Sequence, residues 1–422
     1  MYELKKPAPG MWSFPKNPEH CCIYRVPNSI RRVNPEAYTP QLLILGPLHH
    51  SLKSEALKSR GDITNTKSMG YLNMEEHKKI YLAHFAQRVE GEKTIDGFRR
   101  IVEEDEEIIR ASYSESTEWI ESPKFVEMIL HDSVFVLEFI LRSSCEGSEN
   151  TLGDPLMDEP CLQNTVLEDL ILLENQLPYF ILKKLFDPIV PTLLPNKTFR
   201  ELVITHFEFQ GKIKNNSKFK HFTDLVRLVR VETLPTLAQR NKPIDMYNAD
   251  KLHSGGVKFE AVEEEFSLNV RFDNGCLKMP CLRVDDHVEV TLRNVMALEQ
   301  CHYPFTAHVC NYVIFLDHLI DTDKDVDLLV EKGIIKNWIG KQSSVAEMVN
   351  KLGLGIMEVG SYYSEIAVKV TAHYSNPINR SRAVLKRVYF GNLWTGTATI
   401  AATFLLLMTL IQTVASIIQV KQ

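Results

Sequence analysis

A chain of 422 residues that is 44% hydrophobic and 24% charged has material for about two to three domains, or one large one, and is not a disordered segment. Its 48 Lys and Arg against 54 Asp and Glu leave a formal charge of −6, so no overall cationic field favours nucleic acid. Its Cys residues, at 21, 22, 145, 161, 276, 281, 301 and 310, form neither a Cys-x-x-Cys pair nor a zinc-finger spacing, which points to reduced thiols in a cytosolic fold.

The first 20 residues, "MYELKKPAPGMWSFPKNPEH", are rich in Pro and mixed charge and lack the apolar stretch of a secretory signal; they read as a flexible segment ahead of a globular domain over 21–390. In "CCIYRVPNSIRRVNPEAYTPQLLILGPLHH", Pro27, Pro35, Pro40 and Pro47 interrupt apolar and β-prone residues, so extended segments and turns are expected. Ser51 to Met69 is polar and reads as a loop. The first helix follows, with Met74, Tyr81, Phe85 and Val89 at helical spacing.

The acidic run Glu103–Glu107 reads as a solvated helix face. "SPKFVEMILHDSVFVLEFILR" starts at Ser122–Pro123 and is apolar on more than one face, the pattern of a central helix. Residues 143–161, polar with Gly and Pro, read as a linker. "EDLILLENQLPYFIL" then sets Glu174, Asn175 and Gln176 into an apolar run, with Pro178 kinking or ending the helix. A second such site is Glu299–Gln300 in "NVMALEQC", near Asn294. Buried polar groups left unpaired cost about 1–3 kcal/mol each. Both sites are therefore expected to be internal hydrogen-bond networks, with Glu174 and Gln176 reaching loop backbone or the arginines at 25, 31 and 32.

Between residues 266 and 284 the period becomes strand-like around "DNG", a hairpin signature. Helical patterns resume through "VEVTLRNVMALEQC", "YVIFLDHLIDTDKDVDLLVEKGII" and "SVAEMVNKLGL", and from about Ser361 to Tyr374, before a "SNPINRSR" break. The fold class expected is mainly α-helical (α+β), with a small antiparallel hairpin inserted. Leu393 to Val420 has no Asp, Glu, Lys or Arg, while about 20 apolar residues suffice to span a bilayer. Lys369, Arg380, Arg382, Lys386 and Arg387 precede this transmembrane helix and no acid follows Glu365, so the positive-inside bias places the large domain in the cytosol.

His131–Asp132 is the most chemically suggestive pair. A divalent metal held there with His49, His50, His77 or Asp169 would make the chain a membrane-tethered hydrolase, the alternative to a non-enzymatic module. The nucleophile-elbow, phosphate-loop, dinucleotide-turn and zinc-helix signatures are absent; no catalytic residue, cofactor or metal ligand is assigned. Thr399, Thr403 and Thr413 along the span offer a face for homo-oligomerisation.

In this order, "IYRVPNSIRRVNPEAYTPQLLILGPLHH", "MEEHKKIYLAHF", "LEDLILLENQLPYFILKKLF", "GGVKFE", "LRNVMALEQC" and "FLDHLID…DVDLLVEKGII" resemble the land-plant family called domain of unknown function 247, from about Cys21 to Thr413. The resemblance implies a plant membrane protein without a known cofactor, expected at the plasma membrane. Some grass members of that family are implicated in pollen–stigma self-recognition, so it implies recognition through a protein partner rather than catalysis. His131 departs from the family pattern, which speaks against a family-wide His–Asp metal site.

Overall fold

The computed structural model describes residues 8–12, 18–62, 64–89, 91–144, 153–234, 244–263, 266–389 and 393–420; parts of the 1–20 segment and of the 143–161 linker lie outside the described residues. The chain enters as irregular backbone broken by 3-10 turns at Pro18–His20 and Pro35–Tyr38 and by α1 (Asn28–Arg31), as its prolines require. Cys22 and Ile23 N–H donate to the Ser112 carbonyl at 3.0 and 2.9 Å.

The polar stretch after His50 is not a loop. It forms α2 (His50–Lys58), and α3 (Thr66–Arg88) begins where the Asn65 side chain accepts from Ser68 N–H. Ala56 is fully buried in a cluster with Ile44 and Tyr71, so tertiary contact sustains a helix that composition does not advertise. Helices α4 (Glu92–Glu104) and α5 (Glu106–Ala111) meet at Asp105, inside the acidic run. Met74, Tyr81 and Phe85 of α3 are buried, and α3 packs along α6 (Ser122–Ser144), where Tyr81 stacks on Phe135 at 5.2 Å. Phe125, Ile129, Val136 and Ile140 are all fully buried, so α6 is the central helix its composition implies.

After α7 (Pro155–Asp158), α8 (Pro160–Asp169) stops well short of Pro178. Residues 170–178 are irregular and almost entirely buried, and Pro178 instead opens α9 (Tyr179–Phe186). The Glu174–Asn175–Gln176 triplet therefore lies in a buried loop rather than on a helix. Helices α10 (Val190–Leu193), α11 (Phe199–His206), α12 (Phe222–Val231) and α13 (Ala249–Ser254) follow.

Strands β2 (Arg271–Asp273) and β3 (Cys276–Pro280) form the expected hairpin, with Asn274 and Gly275 at φ 51° and 75° in its turn. The strands form two sheets, one of three strands and one of two, rather than the hairpin alone. β1 (Lys258–Val262) adds in parallel to β3, pairing Phe259 with Leu277, and β4 (Leu282–Val284) pairs in parallel with β5 (Ile335–Asn337).

Helices α14 (Val288–His302), α15 (His308–Leu319), α16 (Asp323–Glu331), α17 (Gln342–Leu352) and α18 (Ser364–Ser375) complete the globular part. One contiguous apolar core runs from Cys22 to Val370 and takes in Val136, Leu225, Val309 and Val349, so the 143–161 segment separates no two cores. Its Asp154 is itself tied in, accepting from Tyr81 Oη at 2.8 Å and Arg142 Nη1 at 3.0 Å.

The "SNPINRSR" break is also helical. Asn376 accepts from Ile378 N–H at 2.9 Å, and Pro377 opens α19 (Pro377–Tyr389), a cap and first-turn proline that start a helix as readily as they end one. The last element is α20 (Leu393–Val420). Its stretch Gly396–Gln419 is long and apolar enough to cross a membrane, and none of it is buried. Thr403, Thr409 and Thr413 each return a hydroxyl to the carbonyl one turn back at 2.8 Å, satisfying those hydroxyls within the helix.

Candidate functional site

The buried loop 170–178 faces a second irregular segment, Gln41–Gly46, which is buried from Leu43 onward and has no strand partner. Buried backbone groups need partners, and here side chains supply them. Asp169 accepts from Gln41, Leu42 and Leu43 N–H at 2.7–2.8 Å. Asn175 Oδ1 accepts from Leu45 N–H at 2.6 Å while its Nδ2 donates to the Leu43 and Asp169 carbonyls at 2.8 and 2.9 Å. Lys78 Nζ donates to the Ile44 carbonyl, and Asp132 Oδ2 accepts from Gly46 N–H at 2.8 Å.

Gln176 serves the loop itself. Its Nε2 donates to the Leu170 and Leu172 carbonyls at 2.6 and 2.8 Å, and its Oε1 accepts from Phe222 N–H at 2.9 Å. Carbonyls at and just beyond the end of α8 are thus capped by side-chain amides from downstream in the same loop, the Leu172 carbonyl also accepting from Asn175 N–H at 3.0 Å. Tyr113 Oη donates to the Gln176 carbonyl at 3.0 Å.

Glu174 carries the charge of the site, and its side chain is fully buried. Its Oε1 accepts from Val26 N–H at 2.6 Å and from Arg31; its Oε2 accepts from Arg25 Nη1 at 2.8 Å. Arg25 also grips Glu115 through Nε and Nη2, both at 2.7 Å, and donates to the Leu48 carbonyl. Burial works against the Arg25 charge, but the Glu115 hydrogen bonds and the Glu174 charge outweigh it and hold the guanidinium protonated. Arg32 takes no part and lines a surface pocket instead. His49 Nε2 lies 3.6 Å from Glu174 Oε2, but burial and then the Arg25 and Arg31 charges push its pKa down to about 3. That imidazole is neutral, so the contact is no ion pair.

The same device recurs around Glu299–Gln300. Glu299 accepts from Arg227 Nε at 2.9 Å and from Val309 and Cys310 N–H at 3.1 and 2.8 Å, placing a carboxylate on the first turn of α15. Burial raises its pKa, with the Arg227 charge opposing. Gln300 exchanges two hydrogen bonds with the Met357 backbone, as a strand neighbour would. Asn294 joins the two networks: it accepts from Leu173 N–H at 2.9 Å and donates to the Ala37 carbonyl at 2.7 Å. Asn311 bridges Gly360 and Tyr362 in the same way. Asn311 is absent from the sequence-level site; its signal there is the same, an amide within an apolar helical run.

Asp169 belongs to the network too. Burial pushes its pKa up to about 7 against the three N–H donors. His131 and Asp132 diverge on α6. Asp132 Oδ1 accepts from Lys78 Nζ at 2.6 Å, so cation and backbone engage both its oxygens, whereas His131 Nε2 sits 2.8 Å from Glu127. His77 contacts Asp154 at 3.1 Å and His49 stands by Glu174. Of the histidines considered as metal partners, only His50 shares a cleft with His131. That cleft, of about 730 Å³, is floored by Leu72, Met128 and Ile120 and rimmed by Lys53, Arg60 and Lys124. Among the described residues no group of three or more His, Cys, Asp or Glu could hold a metal ion.

The comparisons agree with the pattern of these motifs. The UPF0481 protein At3g47200 of Arabidopsis thaliana is 28% identical across 95% of this chain and 87% of its own length. The putative UPF0481 protein At3g02645, also of Arabidopsis thaliana, is 25% identical across 44% of this chain and 35% of its own. No solved structure matches. The family model of DUF247, plant protein of unknown function, matches residues 23–408, a span that holds both polar networks and reaches into α20, and the chain belongs to that family.

Proposed function

We propose that this protein is a single-pass membrane-anchored recognition module that binds another protein rather than transforming a substrate. The observation that carries the anchor is the exposure of α20: the successive residues Phe404, Leu405, Leu406 and Leu407, which at 3.6 residues per turn project to all sides of the helix, are all exposed. An unpartnered apolar surface of that extent is not sustained in water, and a bilayer is the surrounding that matches its length and composition. The non-catalytic reading is supported by how the buried carboxylates of the two networks are used. Both oxygens of Glu174, Glu299, Asp169 and Asp132 already accept from cations or backbone N–H groups. They are spent on holding loops. Charge asymmetry around α20 favours a cytosolic domain.

Protease protection in intact microsomes tests the orientation, and carbonate washing of a separate sample tests the anchor. Release by carbonate would remove the anchor. The domain is expected to be digested and to show no glycosidase mobility shift at Asn196 or Asn215, both exposed. Asn379 is a poor reporter because its amide is held by the His373 carbonyl at 3.2 Å. A protected, glycosylated domain would reverse the orientation and make this a cell-surface protein.

A further inference from the structure

Helix α19 joins the domain to α20, and its two sides differ in kind. One side is docked. Ala383 Cβ and the Asn379 carbonyl approach Gly256, just beyond α13, so closely that a Cβ added there would meet them at 3.1 and 3.2 Å. The other side is open. Ile378, Val384, Leu385 and Val388 are 76, 40, 54 and 54% exposed, and at 3.6 residues per turn they share one side of the helix, an arc with the exposed Ser381 among them. Arg380 and Arg382 fall at its two borders, and neither α19 nor any residue after it is acidic.

We propose that α19 lies flat on the bilayer surface, its apolar arc at the headgroup–acyl boundary and its arginines on anionic phospholipid headgroups. This rests on the reading that α20 spans the membrane. Three observations favour a lipid surface over a protein as the occupant. First, α19 ends at Tyr389 and α20 begins at Leu393, so the arc stands within a few residues of the point where the chain enters the bilayer. Second, Trp394, 84% exposed at the start of α20, is the residue type that settles at headgroup level. Third, an apolar arc bordered by cations and free of acids matches an anionic leaflet. Because the opposite side of α19 is docked on the domain, a surface-bound α19 would also set the tilt of the domain over the membrane.

The test uses the full chain reconstituted into vesicles of phosphatidylcholine alone, or mixed with phosphatidylserine, with amide hydrogen exchange followed over 377–389 and 393–420. Exchange in 377–389 is expected to slow roughly tenfold when phosphatidylserine is present. Arg380→Gln with Arg382→Gln should abolish that difference, and Leu385→Asp should speed exchange in both lipids. The 393–420 amides report the anchor separately. Protected α20 amides with an α19 indifferent to lipid composition would overturn this proposal alone. Rapid exchange along α20 would remove the anchor, and the proposal with it.

Discussion

Asn175 stands in for a β-strand opposite Leu45: its side-chain amide receives the Leu45 N–H at 2.6 Å and returns a donor to the Leu43 carbonyl at 2.8 Å. One side chain thereby satisfies a donor and an acceptor of a buried irregular segment that pairs with no strand. Asn175→Ala would orphan the Leu45 N–H and the Leu43 and Asp169 carbonyls. At about 1–3 kcal/mol for each buried unsatisfied group, a loss of at least about 3 kcal/mol is expected. Denaturant unfolding of the detergent-solubilised chain, followed by near-UV circular dichroism, measures it, and a loss under about 1 kcal/mol would mean that water replaces the amide.

Glu174→Gln tests the charge rather than the shape. It leaves Arg31 and the Arg25 Nη1 without their buried carboxylate, and breaking such a group by one partner costs about 3–5 kcal/mol. Arg25 keeps Glu115, so the lower end of that range is expected. Unchanged stability and expression would show that the carboxylate is not what holds the N-terminal segment.

Gly46 has φ 63°, and a Cβ there would meet the Gln176 carbonyl and Tyr113 Oη at 2.9 Å. Gly46→Ala should therefore cost clearly more than the about 1–2 kcal/mol of a left-handed backbone alone. Gly211 has φ 71° with nothing within 4 Å of its Cβ position, so Gly211→Ala is the control for backbone strain. Equal unfolding midpoints for the two variants would mean that the loop yields at Gly46.

Acid should destabilise the fold from about pH 6.5 downward. Burial lowers the folded pKa of His49 to about 3 and of His206, His221 and His308 to about 4, whereas the unfolded chain protonates near 6.5. Between those values the unfolded state binds more protons, so stability falls as pH falls. Asp169 acts in the opposite sense. Its folded pKa of about 7 lies above the usual carboxyl value of 3.8, so the folded state binds more protons there and gains as pH falls. Glu168, Glu299, Asp317 and Glu358, also raised by burial, act with Asp169, while His50 and His302 are lowered and act with the four histidines. Because the usual histidine range lies above the usual carboxyl range, a net loss is expected as pH first falls below about 6.5. Unfolding midpoints measured from pH 7 to pH 4 should decline, and a flat profile would show that the histidines are hydrated in the folded state.

Much of the architecture was legible in residue order. Periodicity located α3, α6 and α14, and Asp273–Gly275 located the β2–β3 hairpin, because those signals are local. The misreadings share a cause. Helix α2 looked like a loop because its support comes from Ile44 and Tyr71, neither of them in its own stretch. The Glu174 triplet looked helical because apolar spacing cannot register that Asn175 and Gln176 cap carbonyls beyond α8. The parallel pairings of β1 with β3 and of β4 with β5 join residues distant in sequence, for which no turn signature exists.

Composition and order alone thus determined that the chain folds mainly as helices around an apolar core, that polar residues at 174–176 and 299–300 would need internal partners, and that 393–420 is apolar enough to span a bilayer. Which partners those residues take was decided only in three dimensions. Arg25 and Arg31 reach Glu174 while Arg32 does not, Asp132 meets Lys78 while His131 turns outward, and Ala383 docks on the domain while Leu385 stays exposed. The physical reason is that a side chain's partner depends on how distant segments are brought together, whereas periodicity reports only which side of its own element it occupies.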